Sequence, residues 1–287
     1  MTTPDLAFAT TDALPAALRP DRVYYDTGVL LDREDFVDEQ TYHRGRLARA
    51  LAYLGGAGTL VGLRVTVQRP AAGIELQVGG GLAVDRHGRL IEVPRPWCLR
   101  VEPWLRSRSD DALRAALGAE GVVADLYLAF AARGRGATPA FAHGAFDATD
   151  ALVPSRVRDA FVFSLVLRPE AKDAPAAPTF LPRARFAAVR ALATPAERSA
   201  AARAALLDGW DAALARPNGE TLAPLAEHAV GVDPASVFLA RVRLPASLPA
   251  GEPRPVFDLD TFSDALIDNS SRAFVVPGDL LAAVLGA

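Results

Sequence analysis

The hydrophobic period of this chain changes from helical to two-residue near Gly55. Before that point Phe36, His43, Leu47, Ala50, Leu51 and Leu54 fall on one helical face, and Arg33, Glu34, Asp38, Arg44 and Arg46 lie mostly away from it. Asp32 is a good N-cap, and Asp35 stands at the third helical position, where a carboxylate suits the helix dipole. Gly55-Gly56 supplies the stop. The spacing predicts a packed helix of about six turns over 33–54. Upstream, Arg22-Val23-Tyr24-Tyr25 reads as a short strand, with Gly28 in the turn after it.

Beyond Gly55 the pattern is that of strands. Leu60, Leu63, Val65 and Val67 alternate partly, and Ile74, Leu76 and Val78 alternate cleanly with Glu75 and Gln77. Leu82–Val84, the turn Asp85-Arg86-His87-Gly88 and Leu90–Val93 read as a hairpin, and Trp97–Val101 as a further strand. Ser109 or Asp110 is placed to cap a short helix ending near Gly118. Val122–Ala132 is apolar enough for a buried strand. Val157–Leu167 and Val237–Leu244 read as strands, and Phe257–Ile267 as a shorter, broken one. Thr194-Pro195-Ala196-Glu197 is a capping box with proline at the first helical position, opening a helix through Leu206, Leu207, Trp210 and Leu214. The C-terminus ends on an apolar helix carrying Leu280, Leu281, Val284 and Leu285.

These elements predict an α+β fold: a β-rich N-terminal domain with one long packed helix, followed by a second α+β region. The expected organisation is a flexible arm over 1–20, a β-rich domain over 21–132 with its helix at 33–54, a long loop over 133–154, and a second region over 155–287 with a helix at 195–216.

Composition narrows the class. At 287 residues and 51% hydrophobic, the chain is long enough to bury about 75% of its unfolded surface and too apolar for global disorder. The net charge of -3 gives no basic footprint for nucleic acid. The N-terminal stretch has no basic segment leading into an apolar one, so it does not read as a secretory signal, and no apolar run is long enough to predict a membrane span. The expected location is therefore the cytoplasm. Cys98 is the only cysteine and, within Trp97-Cys98-Leu99, reads as a buried packing thiol.

Candidate chemistry is sparse. His43, His87, His143 and His228 are far apart and lack partners at ligand spacing, so no metal, cofactor or catalytic residue is predicted. His143, in the long loop, would be the centre of any dispersed hydrolase site. Ser155, Ser164 and Ser236 sit in no G-x-S-x-G elbow, and Gly79-Gly80-Gly81 lacks a phosphate-loop pattern and reads as a turn or bulge. Asp258, Asp260, Asp264 and Asp268 lack the glycine and glutamate of a calcium loop and read as solvent-facing carboxylates on an edge strand. Arg133 and Arg135 make a small basic loop without interleaved aromatics.

Three segments together resemble a known family. One holds Tyr25, Gly28, Leu30-Leu31, Asp35-Phe36, Glu39-Gln40 and Tyr42, followed by Gly62-Leu63-x-Val65. Another is Gly81-Leu82-Ala83-Val84-Asp85-x-x-Gly88-Arg89-x-Ile91-x-Val93-Pro94. The third joins Val153-Pro154-Ser155-Arg156-Val157-Arg158 to Asp268-Asn269-x-x-Arg272-x-Phe274-Val275. This set is similar to tail or baseplate-associated proteins of extracellular contractile injection systems, and the first segment is loosely similar to the N-terminal region of a type VI secretion baseplate protein. An alanine-rich insertion from about Ala171 to Pro234 departs from that pattern. The resemblance implies a non-enzymatic structural subunit, a baseplate or adaptor component assembled into a phage tail-like particle. Its implied partners are other subunits and further copies of itself, with no nucleic acid and no direct membrane span. Gly28, Leu31, Asp35, Phe36, Gln40, Tyr42, Asp85, Gly88, Pro154, Ser155, Arg156, Asn269 and Arg272 would serve as structural motif residues. The alternatives are a carbohydrate- or receptor-binding tip module using Phe141 and Phe146, and a hydrolase around His143.

Overall fold

The computed structural model describes residues 21–139, 152–173, 189, 191–208 and 222–276. The expected N-terminal arm, Phe141, His143, Phe146, Trp210, Leu214 and the C-terminal helix lie outside the described residues.

The chain has an α+β fold. Helix α1 (Arg33–Leu54) precedes six short strands: β1 (Gly58–Gly62), β2 (Val65–Gln68), β3 (Glu75–Val78), β4 (Gly81–Val84), β5 (Leu90–Val93) and β6 (Trp97–Arg100). Helices α2 (Val101–Arg106) and α3 (Asp110–Ala115) lead into β7 (Leu117–Gly118), β8 (Gly121–Arg135), β9 (Thr138–Pro139), β10 (Leu152–Val153) and β11 (Arg156–Leu167). Helix α4 (Pro195–Leu207) is followed by β12 (Val237–Leu244), β13 (Ala246–Ser247), β14 (Val256–Phe257) and β15 (Ile267–Asp268).

Two of the three helices whose caps are legible in the sequence carry full capping boxes. Asp32 accepts from the Asp35 backbone while Asp35 accepts from that of Asp32, and Thr194 and Glu197 do the same for α4. Ser109 caps α3.

Two three-stranded antiparallel sheets, β1-β4-β5 and β2-β3-β6, pack with a larger antiparallel sheet ordered β11-β8-β12-β15. One apolar core runs through all three, from Leu63, Val65, Leu76 and Ile91 to Leu126, Leu128, Leu239 and Phe262. Strands from both sides of the expected 133–154 linker share this core. The expected boundary falls inside the β8–β11 pairing, which joins Arg135 to Arg156 and continues to Ala124 and Leu167.

Several local expectations change in three dimensions. Residues 22–25 form no strand. Helix α1 buries only Gly45 and Ala48, leaving Phe36 and Leu47 exposed and Leu54 88% exposed. Ala48 packs against Gly88 of the β4–β5 turn, and Leu51 is half-buried. Cys98 is exposed because β6 alternates: Trp97 and Leu99 are half-buried against the core, so the residue between them faces outward. The acidic run is not an edge strand either. Asp258 and Asp260 lie outside the strands, Asp264 accepts the Val67 N–H at 2.6 Å, and only Asp268 is in β15.

Candidate functional site

The motif residues occupy four places. The first is the start of α1. Gly28 takes a positive φ of 86° in the turn before the helix, and Asp35 completes the capping box. Leu31, Phe36 and Gln40 are exposed, whereas Tyr42 is half-buried, with the His43 ring edge-on at 5.3 Å and the Arg46 guanidinium 5.2 Å from its centroid. Here the sequence places apolar side chains at the surface rather than in the core.

The second place is the β4–β5 turn. Asp85 is buried and accepts from the backbone N–H groups of His87 and Arg89, each at 2.9 Å, and from Arg89 Nε at 2.6 Å. This single carboxylate builds the turn. Burial pushes its carboxyl up, and Arg89 pulls it back down. Burial, and then Arg89, pushes the His87 imidazole down, so the ring is held neutral. Gly88, at φ 83°, brings the turn against α1, and a Cβ there would meet the Ala48 carbonyl oxygen at 1.8 Å.

The third place is the lacing of the two small sheets by residues 269–275. Asn269 reproduces a strand pair: its Oδ1 accepts from Val65 N and its Nδ2 donates to Val65 O, both at 2.9 Å. Arg272, fully buried, donates to the Leu63 carbonyl at 2.7 Å and to Asn269 Oδ1 at 2.5 Å. Burial pushes its guanidinium down to about 10, still charged at neutral pH. Thr59 exchanges backbone bonds with Ala273 and Val275, both 2.8 Å, which fastens the same segment along β1. The first and third motif segments therefore meet in space, although 204 residues separate Val65 from Asn269.

The fourth place is the base of the β8–β11 hairpin. Ser155 Oγ donates to the Arg135 carbonyl at 3.3 Å, and Arg156 stands directly across from Arg135. Pro154 lies between β10 and β11, at the break between the two pairings.

Sequence reading missed a buried polar cluster on the large sheet. Asp125 receives Arg241 Nε at 2.9 Å and Nη2 at 3.0 Å, with Arg168 at 3.2 Å. Arg168 also donates to the Tyr127 hydroxyl at 2.9 Å, and that hydroxyl donates to the Glu227 carbonyl at 2.7 Å and accepts from Ala229 N. Burial pushes the Asp125 carboxyl up while both guanidiniums oppose it; for Arg241, burial pulls down and the Asp125 bond holds the charged form. Burial and the neighbouring Asp125 push Tyr127 up to about 12, so the hydroxyl keeps its proton. Its backbone partners come from the alanine-rich insertion, where His228 is also buried, accepting at Nδ1 from Leu225 N and reaching the Ser236 carbonyl at 3.0 Å through Nε2. The legible signal was a lone acid in an apolar strand, VVADLYLAF, and lone bases in another, VFLARVRL.

Two open grooves flank the hairpin. One, about 240 Å³, lies between α1 and β5 and is lined by Arg44, Ala48, Gly88, Arg89, Phe130 and Asp159. The other, about 610 Å³, is lined by residues including Glu92, Trp97, Arg133, Arg158 and Phe161. Trp97 is engaged with Phe163, with ring centroids 4.6 Å apart. Among the described residues, no group of three or more His, Cys, Asp or Glu side chains is placed to hold a metal ion, and no helix is long and apolar enough to cross a membrane. The chain matches no protein-family model and no curated protein.

Proposed function

We propose that this chain is a structural subunit of a contractile phage tail-like particle, a baseplate or adaptor component that holds neighbours in register. The observation that carries the reading is the surface at the start of α1. Tyr24, Tyr25, Val29, Leu30, Leu31, Phe36 and Val37 are all exposed, Leu30 at 95%, within a stretch of fourteen residues. So dense a set of exposed large apolar side chains marks a surface made to be covered by another protein. The remaining motif residues support it from within. Asp85, Gly88, Asn269 and Arg272 shape backbone, as an assembly part requires of residues that set the angle between its elements.

The test is co-purification. Expressed with its neighbouring tail genes, the chain is expected in particles with sheath and tube proteins. A Leu30→Asp/Phe36→Asp variant, folded by circular dichroism, is expected to be absent from them. A chain that never co-purifies with such proteins sinks the reading. Glycan binding at the larger groove is the weaker reading, because Trp97 is half-buried and already stacked on Phe163; a flat glycan array retires it.

A further inference from the structure

Strand β12 pairs with β8 only as far as Leu128. Beyond it, β8 and β11 continue as a two-stranded ribbon, and their register sets Arg135 opposite Arg156 and Arg133 opposite Arg158. Cross-strand partners and i, i+2 neighbours share a face, so all four guanidiniums project from one side of the ribbon. All four residues are exposed. Like charges set directly opposite one another destabilise a ribbon. Asp159 belongs to the other face, where Arg44 of α1 lies 3.9 Å from it. Among the described residues, none of the four arginines forms a side-chain hydrogen bond or ion pair.

We infer that this arginine ribbon docks the acidic segment 21–39 of a second copy of the chain. That segment carries seven carboxylates against two arginines, together with the exposed apolar residues at the start of α1. The ribbon supplies the complement: four positive charges on a face that continues to Val162, which is 41% exposed. Apolar contact rimmed by opposite charge is the anatomy of a protein interface. A polynucleotide fits less well: the arginine face continues through Ala131, Ala160, Ala129 and Val162, and the aromatics of the adjoining groove, Trp97 and Phe161, are half-buried and already packed on Phe163. The two surfaces differ, so the contact is heterologous and builds a ring or a filament of copies. The inference rests on the subunit reading only for its expectation of many copies.

Sedimentation velocity of the full-length chain tests it. Wild type is expected to self-associate at low ionic strength and to weaken as salt is added. Arg133→Glu/Arg158→Glu and, separately, Asp21→Lys/Glu34→Lys are each expected to weaken association about tenfold or more. Mixing the two variants is expected to restore association, because each supplies the partner the other lacks. Arg133→Gln/Arg158→Gln repeats the test by removing charge instead of reversing it. A wild-type chain that stays monomeric overturns the inference. So does association indifferent to both pairs, although that result leaves the subunit reading standing. Binding of a labelled single-stranded oligonucleotide that is lost in Arg133→Glu/Arg158→Glu, without self-association, assigns the ribbon to nucleic acid and also overturns it.

Discussion

Gly88 and Ala48 meet backbone to backbone: a Cβ on Gly88 would stand 1.8 Å from the Ala48 carbonyl oxygen. This contact holds α1 against the β4–β5 hairpin, and few others do, since Gly45 and Ala48 are the helix's only buried residues. Gly88→Ala is expected to cost about 2 kcal/mol or more, through the positive φ and the clash together. The effect should appear first as faster limited proteolysis within α1. Gly28→Ala is the control, with a similar φ of 86° but open space around it, and should cost only about 1 kcal/mol.

Asp125 and Arg241 test the buried cluster. Arg241→Met leaves a buried carboxylate with Arg168 as its remaining cation, and should lower unfolding free energy by about 3 kcal/mol. Asp125→Leu/Arg241→Met should lose less than the sum of the two single changes. A denaturant-melt double-mutant cycle measures the difference, and simple additivity would refute the coupling.

Asn269→Ala should be costly for its size. It removes both bonds to Val65, leaves those backbone groups short of partners, and takes an acceptor from Arg272. A loss of about 2–3 kcal/mol is expected in urea melts.

His87 sets a pH window. Burial and Arg89 hold its folded pKa below 6.5, so the unfolded chain binds the proton more readily. Its contribution to stability is present above pH 6.5 and is lost as pH falls through the folded value. The raised carboxyl of Asp85 works in the opposite sense and is itself pulled down by His87, so the comparison of wild type with His87→Gln reads the two groups together. The variant's melting temperature should fall less between pH 7 and the acid side than that of wild type.

Cys98 faces outward and should react with a thiol reagent in the native state. Cys98→Ser should change stability by no more than about 0.5 kcal/mol. A thiol that reacts only after unfolding would contradict the outward face of β6.

Much of the secondary structure was legible. The caps at Asp32, Ser109 and Thr194, the hairpin around Asp85 and the strands over Val122–Ala132, Val157–Leu167 and Val237–Leu244 all stand where the patterns put them. The failures share a cause. The short strand at 22–25, the packed face of α1 and the buried Cys98 each required a partner surface that local pattern does not specify.

The sequence by itself determined what lies within one turn or one alternation: which residues cap, which turn, and which side of a strand is apolar. These follow from side chains reaching backbone groups three or four positions away, or from the two-residue pleat. Only the tertiary structure decided what those elements do for one another. Asp125 finds Arg241 across 116 positions, and Asn269 finds Val65 across 204. The register of β8 against β11 places four arginines on one face. Contacts of that range are set by how sheets stack and strands slide into register, and a one-residue slip of β11 would have carried Arg156 and Arg158 to the face opposite Arg133 and Arg135.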